Sequence, residues 1–327
     1  MGALLEPSLH PFFGGRQLAG SAGDRSTFAY IGLPTGSPYD GEFPSPAAGG
    51  PEHVRAMSWE QECPSDAHHY DFDLGGPLMP SGSHPDLIDY GDVAADPSDL
   101  DEGKRFATEV VRSALDRGAL PLVIGGDHSI TAIAVAAYEG LGPVNVLHID
   151  AHLDFRDEVG GVRDGYSSPI RRIREMQWVG AIVQVGLRGV GSARSEEVAD
   201  AREAGNVLIT ADELHDRGVD TVLAHITPEA PWYVTIDVDG LDPSIAPGTG
   251  FPVPDGVTYR EAAGLVRGVA GRGLLAGMDV TEIHPAIDLR GLTALTVLRL
   301  LVMAMGESVR ASGDEQHVLP SQLVRQP

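Results

Sequence analysis

The chain has 327 residues and a formal net charge of −24, from 23 Lys and Arg against 47 Asp and Glu. So acidic a surface repels nucleic acid and anionic lipid and draws cations, while 42% hydrophobic and 21% charged residues are ordinary for a soluble globular protein near the size limit of one core. Cys63 is the only cysteine, which excludes an internal disulfide and a thiolate metal cluster and points to a reducing, cytoplasmic setting.

Met1 to Gly20 lacks the basic start and apolar stretch of a secretory signal. The longest continuous apolar runs are strand-length, so no membrane span is expected. Residues 1–26, rich in Gly, Pro and Ser, read as an extended arm. From Phe28 the chain alternates short β-branched runs with helical stretches. Strands are predicted at Phe28–Leu33, Leu87–Tyr90, Leu120–Ile124, Val144–Ile149, Ala181–Val185, Val207–Thr210, Trp232–Ile236 and Leu274–Met278. Helices are predicted at Pro51–Ser58, Leu100–Arg117, Ile130–Tyr138, Pro169–Trp178, Glu196–Ala204, Tyr259–Val269 and Leu292–Val309, with a frayed tail after Arg310. The alternation implies an α/β protein whose parallel sheet is covered on both faces. No composition break divides it, so one domain is expected over 27–310, with a tail over 311–327. In open α/β sheets the chemistry sits beyond the carboxyl ends of the strands.

Those strand ends carry the informative motifs. Past Leu120–Ile124 the chain reads Gly125-Gly126-Asp127-His128-Ser129, where two glycines permit a tight turn that presents His128. Past Val144–Ile149 it reads Asp150-Ala151-His152-Leu153-Asp154, and past Trp232–Ile236 it reads Asp237-Val238-Asp239-Gly240-Leu241-Asp242-Pro243. In extended backbone alternate side chains share a face. Asp150, His152 and Asp154 should then converge, as should Asp237 and Asp239. The sum is two imidazoles and four carboxylates, with Asp242 in reserve. Such a set without thiolate suits two divalent ions, Mn²⁺ first, with Ni²⁺ and Co²⁺ compatible. Without cations the carboxylates would repel and several would stay protonated. A single strand-end Asp is commonly a turn former, but three such motifs at three strand ends point to a binuclear metal site.

A fourth strand end, Asp279-Val280-Thr281-Glu282-Ile283-His284, adds Glu282 near the same rim. Two ions can share a water and lower its pKa. Asp154 can hold that water by a hydrogen bond, and Glu282 can bind a planar guanidinium through a fork of two. The products would be urea and an amine. No Arg or Lys clamp accompanies the motifs, which disfavours a phosphoester.

Gly-Gly-Asp-His-Ser, Asp-Ala-His-x-Asp and Asp-x-Asp-x-x-Asp-Pro, in this order, resemble the ureohydrolase family of arginases, agmatinases, guanidino-acid hydrolases and formimidoylglutamases. The likeness runs from about Phe28 to Val309, and Ala246–Gly250 and Asp279–Glu282 look like its agmatinase side. The resemblance implies a three-layer α/β/α fold with an eight-stranded, mostly parallel sheet. It also implies a cytoplasmic homo-oligomer, trimeric or hexameric, and two Mn²⁺ on His128, Asp150, Asp154 and Asp237, completed by His152 and Asp239.

One departure concerns the loop before Ser168-Pro169-Ile170-Arg171-Arg172. Agmatinase-like members carry a His there, where this chain has Tyr166. Tyrosine, with a pKa of about 10, is poorly matched to shuttling protons at neutral pH. His284 is then a candidate for that task, with His68, His69 and His10 as others. The loop Phe155–Gly161 does not match the arginine-binding pattern of arginases, which disfavours arginine. Tyr39, Phe43 and Trp59 are candidates for an aromatic wall. Two alternatives stand beside guanidine hydrolysis. One is hydrolysis of a formimino group, with Arg156 or Arg163 facing an anionic substrate. The other is a metal-loaded homologue without catalysis.

Overall fold

The computed structural model describes residues 5–19, 24–37, 39, 44–60, 68–94, 100–190 and 193–323. Its frame is a ten-stranded sheet. The strands are β1 (Leu5–Glu6), β2 (Arg16–Gln17), β3 (Phe28–Leu33), β4 (Leu87–Val93), β5 (Leu120–Gly125), β6 (Val144–Ile149), β7 (Val179–Leu187), β8 (Val207–Thr210), β9 (Trp232–Asp237) and β10 (Leu275–Thr281). The spatial order is β1-β4-β3-β5-β10-β9-β6-β7-β8, with β2 also on β4. Strands β3 to β10 are the eight expected from sequence, and they pair in parallel throughout.

The helices are α1 (Gly50–Glu60), α2 (Leu100–Asp116), α3 (Ile130–Ala136), α4 (Pro169–Arg174), α5 (Ser195–Glu203), α6 (Ala211–Arg217), α7 (Asp220–Leu223), α8 (Tyr259–Ala270) and α9 (Leu292–Ser312). Strand side chains alternate between faces. Leu122, Ile124, Leu147 and Ile149 join Val54 of α1, Leu214 of α6 and the apolar stripes of α8 and α9. Val123, Val144 and Val146 join Phe106 of α2, Ile133 of α3, Ile170 of α4 and Ala201 of α5 on the other face. This three-layer arrangement is the one expected.

Several elements differ in extent. The arm is built into the sheet rather than merely extended: β1 pairs antiparallel with β4 and β2 pairs parallel with it. Phe12 and Phe13 are buried, and the Phe12 amide donates to Asp89 at 2.7 Å. That carboxylate is held in turn by Arg55 of α1 at 2.8 Å. The tail is packed rather than frayed, since α9 runs to Ser312 and Val318 and Leu323 are buried. By length and composition the segment Leu289–Ser312 could cross a membrane, but 78% of its most apolar 18-residue window is buried inside the protein. Arg299 and Glu307 interrupt its apolar runs, so the sequence shows no continuous apolar span there. The helix expected at Pro169–Trp178 stops at Arg174 because β7 begins by Val179. Helices α6 and α7 were not expected. Thr210 caps α6 by accepting from the Glu213 amide, a Thr-x-x-Glu signal present in the sequence.

Candidate metal centre

The three motifs meet beyond the carboxyl ends of β5, β6 and β9. His128 Nδ1 lies 2.9 Å from Asp154 Oδ2, 3.1 Å from Asp150 Oδ2 and 3.3 Å from Asp237 Oδ2. His152 Nδ1 lies 3.0 Å from Asp239 Oδ2 and 3.4 Å from Asp150 Oδ1. Two groups of donor atoms result, His128, His148, Asp150 and Asp154 in one and Asp150, His152 and Asp239 in the other, each within 4.8 Å. Asp150 is common to both. All six expected ligands are brought together; His152 is partly exposed and the other five are buried.

The convergence does not come from strand alternation. Asp150–Asp154 lies past the end of β6 as a bend, and Asp154 takes a left-handed backbone with φ 51°. Asp237 and Asp239 flank a tight turn in which Asp237 Oδ1 accepts from the Asp239 amide at 2.9 Å. Gly240 lets this turn sit against the other, because a Cβ there would lie 2.6 Å from Asp150 Cα. The two glycines at the end of β5, Gly125 and Gly126, also allow close packing. Neither has positive φ, but a Cβ on Gly126 would stand 2.3 Å from Thr35 O in the loop after β3. Gly126 thus permits the close approach of two loops, while Gly125 leaves room for the Ile130 side chain, which a Cβ there would meet at 2.5 Å. Asp242, held in reserve from sequence, is a turn former: it accepts from the amides of Ser244 and Gly256.

The electrostatics fit a site built for cations. Burial, then the Asp150 charge, raises Asp237 to about 7. Burial, then Asp237 and Asp150, holds Asp239 well above the usual carboxylate range. Asp154 is raised by burial and by Asp150. Burial alone would also raise Asp150, but His148, His128 and His152 outweigh it and hold it well below the normal range. His128 Nδ1 is fully buried and makes no hydrogen bond of good geometry. An unsatisfied imidazole nitrogen facing three carboxylates is the arrangement a divalent ion satisfies.

A second layer of side chains, which no motif in the sequence marks, stands behind the ligands. His128 Nε2 reaches Thr235 Oγ1 at 3.2 Å, and Thr235 Oγ1 donates to Asp279 Oδ1 at 2.6 Å. Such outer partners fix a ligand imidazole's orientation. His148 sits 2.8 Å from Asp150 Oδ2. Its signal was its place two residues before Asp150, on the same face of a strand.

Glu282 and His284 stand at the rim. Glu282 has φ 62°; its Oε1 accepts from the His128 amide at 3.0 Å, and its Oε2 lies 3.3 Å from His284 Nε2. Gly250 makes room for the imidazole, since a Cβ there would lie 2.7 Å from His284 Cε1. His10 packs on Trp59 and His68 on His69, so His284 is the histidine of the expected candidates whose ring reaches Glu282. Tyr166 is 4.6 Å from Tyr39 and 6.5 Å from Phe251, ring to ring, and Phe251 is 6.5 Å from His152. The aromatic wall is therefore Tyr39, Tyr166 and Phe251. Trp59 donates to Pro11 O at the arm instead, and Phe43 and Cys63 lie outside the described residues. Arg156 pairs with Glu197 and Arg163 with Asp157 and Glu175.

Comparison with known proteins adds to this geometry. A family model described as the arginase family matches residues 27–306. The guanidinopropionase of Pseudomonas aeruginosa is 34% identical over 293 residues, 86% of this chain and 88% of that protein. The agmatinase of Pyrococcus horikoshii is 32% identical over 280 residues, 84% of this chain and 91% of that one. The solved structure of the proclavaminate amidinohydrolase of Streptomyces clavuligerus superposes with a TM-score of 0.78 at 28% identity, covering 93% of this chain and 98% of that one.

Proposed function

Since the chain belongs to the arginase family, hydrolases of amidine carbon–nitrogen bonds, we propose that it cleaves a linear guanidino compound to urea and an amine. The observation that carries this reading is the meeting of His128 with Asp150, Asp154 and Asp237 at 2.9–3.3 Å. We assign His128, Asp150, Asp154 and Asp237 to one divalent ion, and Asp150, His152, Asp237 and Asp239 to the other, with Mn²⁺ the best match to these donors. When bound, such a pair would supply a water of lowered pKa.

The chain's own residues do the rest. Asp154, at its left-handed turn, accepts a hydrogen bond from the attacking water and takes its proton as the oxygen bonds to the guanidinium carbon; that proton is returned to the nitrogen whose bond to the carbon breaks. Glu282 offers Oε2 to the guanidinium, where the N–H groups replace the His284 contact. His284, beside that carboxylate, is placed to deliver a proton to the leaving nitrogen. Tyr166 serves the substrate's body rather than the proton path, because its ring faces Tyr39 and Phe251.

The far end of the substrate meets this aromatic wall. Arg156 and Arg163, the cations considered for a carboxylate tail, are engaged with acids. A cation is attracted to aromatic faces by about 0.5–2 kcal/mol, so an amine tail suits this mouth better than a carboxylate. Product analysis tests the reaction. Urea from a guanidine supports it; formamide from a formimino compound, without urea from any guanidine, would replace it.

A further inference from the structure

Behind Asp150 a buried chain of polar side chains crosses the sheet. His148, on β6, brings Nε2 to 2.8 Å from Asp150 Oδ2. Gln184, on β7, places its amide nitrogen 3.1 Å from His148 Nδ1, and the same nitrogen donates to Leu153 O at 2.8 Å. Asn206, just before β8, donates from Nδ2 to Gln184 Oε1 at 3.0 Å. His148 and Gln184 are wholly buried, and Asn206 nearly so.

One fixed point sets the direction of each bond. Leu153 O is a carbonyl and only accepts. The end of Gln184 that meets it is therefore the nitrogen, and Asn206 meets the oxygen. That nitrogen also donates to His148 Nδ1. The imidazole accepts at Nδ1 and carries its hydrogen at Nε2, pointed at Asp150. This matters because His148 lies among the donor atoms of His128, Asp150 and Asp154. An Nε2 that bears hydrogen has no lone pair to give a metal ion.

We propose that Gln184 is a positioning residue of the metal centre. By donating to His148 Nδ1 it makes His148 a donor to Asp150 rather than a ligand. By holding Leu153 O it fixes the turn that delivers Asp154. That turn needs an anchor, since Asp154 sits at φ 51°, a left-handed region that disfavours a residue with a Cβ. One side chain thus restrains both ends of the Asp150–Asp154 segment.

The inference rests on the two-ion reading of the site, but its readout is metal affinity, so it can fail while urea formation stands. Mn²⁺ binding to the full chain is measured by chelator competition, beside thermal melting of the metal-free protein. Gln184→Leu removes the amide. Gln184→Glu keeps its shape and, when ionised, has no donor. Both are expected to bind Mn²⁺ about 10- to 100-fold more weakly, with full occupancy recovered at saturating Mn²⁺. Should Gln184→Leu fail to fold, Gln184→Glu decides. A merely structural role would lower the metal-free melting temperature and leave the folded chain's Mn²⁺ affinity unchanged. Affinity in Gln184→Glu within about twofold of the parent overturns the proposal. His148→Asn is expected to keep two ions at saturation; loss of one there would make His148 a ligand and overturn it too. A parent chain that binds no Mn²⁺ overturns it together with the two-ion reading.

Discussion

His128 and Asp154 lie 2.9 Å apart although β5 and β6, the strands that deliver them, are separated in the sheet by β10 and β9. The contact spans the centre of the sheet's carboxyl edge. Asp237 arrives from β9 and Glu282 from β10, so four neighbouring strand ends contribute to one pocket. Of these strands β9 and β10 are neighbours in both chain and sheet, whereas β5 and β6, consecutive in the chain, stand on either side of them. The centre therefore depends on the whole sheet, and its metals should report on the integrity of the fold.

Asp154→Asn and Asp237→Asn each remove an anionic ligand. Both are expected to lose bound metal and urea formation together, by more than about 100-fold, beyond the range for outer partners. Metal analysis of the purified variants checks this. Parent-level activity in either would contradict the ligand assignment.

Glu282→Gln should leave the metals in place, because Glu282 is not among the donor groups. It removes a charge-assisted hydrogen bond worth roughly 1.5–3 kcal/mol. Catalytic efficiency is expected to fall about 10- to 100-fold, with metal content unchanged.

Gly240→Ala drives a methyl group into Asp150, since the ideal Cβ lies 2.6 Å from its Cα and 2.7 Å from its amide nitrogen. Overpacking of this kind costs about 1–3 kcal/mol. The expected result is a lower melting temperature and weaker Mn²⁺ binding, measured by calorimetry with and without metal. A fully stable variant with parent affinity would show that the two ligand turns can separate.

The pH dependence has a definite sign. Asp237 is raised to about 7 and Asp239 stands well above the usual carboxylate range, both chiefly through burial, so the metal-free fold holds protons that the unfolded chain releases at about 4. His128 and His152 are raised too, their burial outweighed by neighbouring carboxylates, His152 to about 12. Both kinds of group lose stabilisation as pH rises. The metal-free protein should therefore melt at lower temperature at pH 8 than at pH 5. Mn²⁺ binding should release protons, and its stabilising effect should grow over the same range. Melting curves in matched buffers check this; a Mn²⁺ effect independent of pH would contradict it.

The aromatic wall gives a substrate test. Among guanidines of equal chain length, a terminal amine should be favoured over a terminal methyl, and the methyl over a carboxylate. Phe251→Leu and Tyr166→Leu should narrow the first difference by a factor of roughly 2–30. A parent enzyme that prefers the carboxylate would refute the proposed tail while leaving urea formation intact.

The parallel sheet and the convergence of the six candidate ligands were legible in the sequence because each motif follows an apolar strand and combines carboxylates and imidazoles that suit cations. What was not legible came from contacts across the fold. The arm's pairing with β4 depends on Asp89, which nothing local to residues 5–19 announces. The bends at Asp150–Asp154 and Val238–Gly240 replace the alternation that the spacing suggested, because Gly240 and the left-handed Asp154 close the turns. His148, Thr235 and Gln184 lie inside strands whose patterning marks them only as interior positions. Their partners come from other strands, so their roles emerged only from the packed sheet.

The most direct test of the account is a single titration of metal-stripped protein with Mn²⁺, following bound metal and urea release from a panel of guanidino compounds in the same samples. The expected result is activity that rises to a plateau as about two ions per chain are taken up, one for each donor group, with urea from at least one guanidine. Two bound ions and no urea from the whole panel would contradict the proposed reaction, and urea release at full rate without bound metal would contradict the site itself.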